Sequence, residues 1–110
     1  MRIAIPTDRG QVSAHFGHCE EFTIYDVDAN NKVNSKEVIE NPGHEPGFLP
    51  VFLAKQNINC IIAGGMGSRA KQLFDQNNIQ TITGASGIVD EVVQGYLAGN
   101  LVSNDNFCDH

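Results

Sequence analysis

Residues 59–63 read Asn-Cys-Ile-Ile-Ala and run directly into Gly64-Gly65-Met66-Gly67. A short run that is apolar on both faces offers no side to water. It belongs in the interior of a sheet covered on both faces, which is the usual setting of parallel strands. The glycines end that strand in a tight turn. Ser68 then stands where a helix cap is wanted, ahead of Ala70, Leu73 and Phe74 on one helical face. A second strand–turn–helix passage follows, with a short strand at 79–82 and the turn Gly84-Ala85-Ser86-Gly87. Ser86 is the expected cap of a last helix striped by Ile88, Val89, Val92, Val93, Tyr96 and Leu97 and ended by Gly99.

The first half reads differently. Residues 2–6 form a strand stopped by Pro6, and residues 21–27 alternate in the period of a strand. Asp28-Ala29-Asn30-Asn31 is a turn, and residues 32–39 return to complete a hairpin. Residues 41–47 are irregular, and Pro50 falls in the first turn of a helix reaching about Gln56, where its missing N–H costs nothing. The order β-β-β-α-β-α-β-α predicts one α/β domain: a mixed five-stranded sheet with three helices. Strands one to three are expected antiparallel, and four and five parallel to the first. The domain is expected to span residues 1–100, with a mobile polar tail at 101–110.

Composition narrows the function. Seven basic against thirteen acidic side chains give a net charge of −6, which argues against a nucleic-acid binder needing a basic face. No run approaches the ~18 apolar residues of a membrane span. The chain enters its first strand without signal-peptide features, so the expected location is the cytoplasm. Three cysteines cannot all pair, and no CxxC is present. Cys60, inside the apolar run, is expected to be an inert core thiol.

Chemistry concentrates in loops. Residues 7–20 show no periodicity, and loops longer than ~12 residues are often functional. This one carries His15-Phe16-Gly17-His18-Cys19, two imidazoles and a thiol within five residues, a donor set that suits zinc, iron, copper or a sulfur-bridged cluster. His44 lies between two turns, and Cys108 and His110 close the tail as further candidate ligands. The spacing matches no standard zinc motif. The turn Gly65-Met66-Gly67-Ser68-Arg69 resembles a dinucleotide fingerprint in its setting, but the next strand ends Ile82-Thr83-Gly84 without the acidic residue that holds a ribose. What that turn offers is helix N-terminal amides and a guanidinium for an anion, with the Ser86 turn as a second such place. A magnesium nuclease is excluded because the strand at 59–63 and its exit carry no carboxylate. No nucleophile elbow is visible.

Read in order, several stretches resemble one family. They are Ile3-Ala4-Ile5-Pro6-Thr7, Val12-Ser13-Ala14-His15-Phe16-Gly17, Phe22-Thr23-Ile24-Tyr25-Asp26, Glu40-Asn41-Pro42 and Gly47-Phe48-Leu49-Pro50. Ala63 through Ala70 and Thr83-Gly84-Ala85-Ser86-Gly87 complete the set. Together they resemble the dinitrogenase iron–molybdenum cofactor biosynthesis family of NifX-like carriers, the NifB accessory domain and small stand-alone proteins. The resemblance implies a ribonuclease H-like fold without nuclease activity. It also implies non-catalytic binding of an anionic metal–sulfur cluster of iron–molybdenum or molybdenum–copper type. The similar orange protein holds a molybdenum–copper sulfide cluster.

On that expectation His15, His18, Cys19, His44, Cys108 and His110 face the metal. Gly65, Met66, Gly67, Ser68, Arg69 and Ser86 cradle the anion, and the partners are cluster donor and acceptor proteins. The alternatives are a zinc-dependent enzyme or regulator using the same histidines, and a metal-free anion-binding module.

Overall fold

The computed structural model describes residues 1–14, 16–43 and 47–99. Strand β1 (Arg2–Asp8) runs through the middle of the sheet, with its five central residues buried. Side chains alternate between faces along a strand, and two cores follow from that period. Ala4 packs with Phe22, Ile24, Ile61 and Ala63 on one face, while Ile3 and Ile5 pack with Tyr25, Val27, Cys60 and Ile62 on the other. Helices α1 (Phe48–Lys55) and α2 (Ser68–Gln76) cover the first face through Leu49, Leu53 and Phe74. Helix α3 (Val89–Leu97) covers the second through Val89, Val92 and Val93.

The remaining strands are β2 (Gln11–Val12), β3 (Glu21–Val27), β4 (Val33–Glu40), β5 (Cys60–Ile62) and β6 (Gln80–Ile82). They form a mixed sheet of order β4-β3-β1-β5-β6, with β2 paired to β1. As expected, β1 and β3 are antiparallel, β3 and β4 are antiparallel, and β5 and β6 run parallel to β1. The apolar run at 59–63 is indeed an interior strand, wholly buried over Cys60–Ile62.

The count of strands needs correction, from five to six among the described residues. Residues 7–20 contain the ribbon β2, paired in the register Thr7↔Val12 and Asp8↔Gln11. Arg9 and Gly10, both at positive φ (53° and 79°), form its two-residue turn, the backbone a tight hairpin requires. Two residues are too few to display a period of two.

The expected helix caps also shift. Gly67 rather than Ser68 is the N-cap of α2, and Ile88 rather than Ser86 that of α3. Neither makes a side-chain cap hydrogen bond. Helix α1 starts at Phe48, so Pro50 lies in its first turn as expected. Gly99 follows α3 at a φ of 80°, the left-handed position that ends a helix.

Candidate functional site

Strand directions decide which loops can meet. Strands β1, β4, β5 and β6 point one way and β3 the other. The carboxyl ends of the first four and the start of β3 therefore share one rim. From it leave the loop after β1, the segment after β4, the turn after β5 and the turn after β6. Carboxyl ends of parallel strands are where open α/β sheets place their ligands.

Backbone hydrogen bonds tie these loops together. Gly84 donates to the Gly64 carbonyl (2.9 Å), and Ala85 donates to the Ala63 carbonyl (3.1 Å). Val12 donates to the Gly87 carbonyl (2.9 Å), and Val89 to that of Gly10 (3.1 Å). The ribbon β2 thus fastens the first loop to the turn that precedes α3. The first loop then lies directly on the turn after β5. A Cβ built on Gly64 would stand 2.8 Å from the Ser13 carbonyl oxygen and 3.3 Å from that of Ala85, and one on Gly65 would stand 3.2 Å from that of Ala14. Real side chains do not approach backbone oxygens at 2.8 Å. Glycine at 64 is what lets the strand of residues leading to His15 rest there.

Phe16, between the two histidines, is the loop's anchor. Its ring meets the edge of Phe74 on α2 (5.2 Å between centroids) and lies 6.2 Å from Phe22 on β3. The short 3-10 turn Phe16–His18 follows, and His18 is exposed on it.

Cys19 is placed otherwise than its polar neighbours suggest. It is 2% exposed and packs in the same core cluster as Met66, Phe22 and Phe74. Burial pushes its thiol up to about 11, and the nearby Asp8 carboxylate adds to that rise. Hydrogen bonds from the Thr7 backbone and the Asn41 side chain only partly offset it. At neutral pH Cys19 is a thiol. Cys19, read from the sequence as part of an irregular loop, is therefore a core residue. Cys60 matches its expectation: it is buried beside Tyr96, and its thiol is pushed up to about 11, again by burial.

Three positioning groups carry little sequence signal. The Asp8 carboxylate accepts a hydrogen bond from the Glu20 amide (2.7 Å), closing the base of the first loop. Asn41 donates from Nδ2 to the Cys19 carbonyl (2.9 Å) and to its sulfur (3.6 Å), and its Oδ1 accepts from the Gly43 amide (3.0 Å). One side chain thereby fixes the departure of the segment after β4 to the end of the first loop. The Asn-Pro-Gly turn marks the position, though not its partner. Phe16 is the third.

Ser68, Arg69 and Ser86 are exposed on the rim, and Met66 is buried beneath it. The two helix starts differ in charge: α2 carries no acidic residue in its first turn, whereas α3 carries Asp90 and Glu91. The anion-compatible start is that of α2, with Arg69 on it. His15, His44, Cys108 and His110 lie outside the described residues, as does the tail at 101–110. Among the described residues no three His, Cys, Asp or Glu side chains form a metal-holding group. No described helix is long and apolar enough to cross a membrane.

A family model described as dinitrogenase iron–molybdenum cofactor matches residues 1–99. The protein MJ0580 of Methanocaldococcus jannaschii is 34% identical over 106 residues, covering 92% of this chain and 89% of its own. Among solved structures, the crystal structure of PH0822 superposes with a TM-score of 0.86 at 34% identity, over 94% of this chain and 96% of that one. The apo form of the orange protein from Desulfovibrio gigas superposes with a TM-score of 0.77 at 26% identity, over 93% and 91%.

Proposed function

The chain belongs to the dinitrogenase iron–molybdenum cofactor family, and from that premise we propose that it binds and carries an anionic metal–sulfur cluster, or a precursor of one, without catalysing a reaction. In this reading the cargo is of iron–molybdenum or molybdenum–copper type and passes between donor and acceptor proteins. The sheet order, with β3 alone reversed along the main path, supports the ribonuclease H-like label for the fold.

The observation that carries the proposal is the seating of the first loop on the turn after β5. Ser13 and Ala14 rest on Gly64 and Gly65, and Phe16 is pinned against α2. The segment through Ser13, Ala14 and Phe16 thus lies against the turn that leads into α2, whose start carries Arg69 and no carboxylate. Imidazole donors and anion-binding amides on one rim suit a cargo that is both metallic and negatively charged.

Electrostatics favours the β5 side of the rim. Glu20, Glu21 and Glu40 stand at the β3–β4 end, where they would repel an anion, whereas Gly65, Met66, Gly67, Ser68 and Arg69 belong to the other end. Ser86 flanks that end from the neighbouring turn. We assign His15, His18 and His44 as metal-facing donors, with Cys108 and His110 joining from the tail. Cys19 joins only at a cost. Deprotonating a thiol near pKa 11 rather than 9.0 requires about 3 kcal/mol more than for an ordinary one.

The test is anaerobic purification from the native host, with elemental analysis and a visible spectrum. A visible chromophore with molybdenum or iron, and inorganic sulfide, is the expected result. A colourless protein holding zinc would point to the zinc alternative. A colourless metal-free protein that binds simple anions would leave only the amide-lined turn.

A further inference from the structure

Strand β4 is an edge strand whose outer edge is uncovered, and a helix meets its side chains through the Lys36–Asp90 ion pair with α3. Residues 34–38 are exposed on both faces, and Val38 is 50% exposed. Its pairing with β3 is regular from Asp26↔Ser35 to Glu21↔Glu40, and no proline interrupts it. An edge of that length and regularity is a template for another strand.

Its charges say which strand. Glu40 stands directly opposite Glu21 across the β3–β4 pair. Like charges in that relation destabilise a sheet. Among the described residues neither carboxylate has an ion-pair partner; the ion pairs of this region are Arg2 with Asp26 and Glu37, and Lys36 with Asp90. Lys36, Val38 and Glu40 share one face of β4, because side chains alternate along a strand.

We propose that β4 pairs antiparallel with β4 of a second copy about a two-fold axis through Val38, joining two sheets into one. A two-fold axis normal to the sheet keeps each face on its own side, so opposed residues come from the same set. Through Val38 it sets Val38 against Val38 and Lys36 against Glu40 of the partner subunit, twice. Each pair brings Lys36, which Asp90 of its own chain holds from the α3 side, to the carboxylate that faces Glu21, so that one ammonium serves two exposed carboxylates. An axis through Lys36 or Glu37 would oppose like charges, and one through Ile39 would set Lys36 against Pro42 of the partner subunit. The register through Val38 alone buries the exposed valine on itself while pairing opposite charges. The contact is a strand edge rather than a broad face, so the dimer is a weak one.

The full chain tests this by sedimentation equilibrium over a wide range of concentration, at low and high salt. The wild type should self-associate reversibly to a dimer, more weakly at high salt. Glu40→Lys removes the Glu21–Glu40 opposition, so it should fold at least as well by circular dichroism. It also sets two lysines against each other at both symmetric positions, and dimerisation should weaken by roughly tenfold or more. The charge swap Lys36→Glu/Glu40→Lys, made together with Asp90→Asn so that the new carboxylate meets no like charge on α3, should restore it. A wild type that stays monomeric at the highest concentration overturns the proposal. So does a dimer indifferent to Glu40→Lys, which would use another surface, or a swap that fails to restore association.

Discussion

Replacing Gly64 by alanine puts the seating of the first loop to a direct test. The new methyl carbon would stand 2.8 Å from the Ser13 carbonyl oxygen, 3.3 Å from that of Ala85 and 3.5 Å from the Ala14 Cα. All three are backbone atoms. The Ala85 turn is held by the Gly84–Gly64 and Ala85–Ala63 hydrogen bonds, and Ser13 by its own bond to the Pro6 carbonyl (2.8 Å). The neighbours cannot swing aside as a side-chain tip would. Overpacking of this kind costs about 1–3 kcal/mol, offset by the ~0.4–1 kcal/mol that alanine contributes by restricting the unfolded chain. A net loss of about 1–2 kcal/mol is expected. For a domain of this size that lowers the melting temperature by roughly 4–12 °C.

Gly95→Ala is the control. Nothing lies within 4 Å of a Cβ there, and the residue is inside α3, so the change should leave stability unchanged or raise it by up to about 1 kcal/mol. Urea titration of both variants beside the parent gives the comparison. Equal stability of Gly64→Ala and Gly95→Ala would refute the close packing of the loop on this turn.

Other consequences follow from the core and the thiols. Phe74→Ala removes a fully buried ring and the edge contact with Phe16, and should cost about 3–5 kcal/mol in urea unfolding. Asn41→Ala breaks the bonds to Cys19 and Gly43 and should cost about 1–2 kcal/mol; it should also make the Gly43 amide exchange its hydrogen faster. Cys19 and Cys60 are each raised from 9.0 to about 11, so the folded chain keeps protons that the unfolded chain releases between those values. Stability should be intact below pH 9 and fall from pH 9 to 11, by up to ~3 kcal/mol per thiol. The raised Tyr25 and Tyr96 add a loss of the same sign. Replacing both cysteines by serine should flatten that part of the pH–stability curve.

Much of this fold is readable from local pattern. The run at 59–63 is apolar on both faces because it is covered on both faces. The hairpin of β3 and β4 is announced by alternation and a turn of Asp28, Asn30 and Asn31, and α3 by its stripe. Features set by contacts between distant segments are less legible. The two residues of β2 owe their pairing to the Arg9-Gly10 turn and to the bonds from Val12 to Gly87 and from Val89 to Gly10. Cys19 sits between polar residues, yet tertiary contacts with Met66, Asn41 and Thr7 bury it. Ser68 and Ser86 have the chemistry of caps, but the turns place Gly67 and Ile88 at those positions. Of the candidate site, the glycine turn and the first loop were each visible as segments. That they share a rim follows from β5 running parallel to β1, as the order of elements predicts; the close seating of Ser13 and Ala14 on Gly64 and Gly65 is a tertiary contact with no local pattern.

The cargo proposed for this rim is an anionic metal–sulfur cluster. Anaerobic gel filtration of the full chain with tetrathiomolybdate and copper(I), followed at visible wavelengths, tests it most directly. Colour should travel with the parent protein and be lost from His15→Ala/His18→Ala, whose circular dichroism should match the parent. Arg69→Ala, on an exposed side chain, should weaken retention by roughly tenfold, as expected of one charged hydrogen bond. A parent that elutes colourless, or colour retained equally by the parent and both variants, would contradict the account.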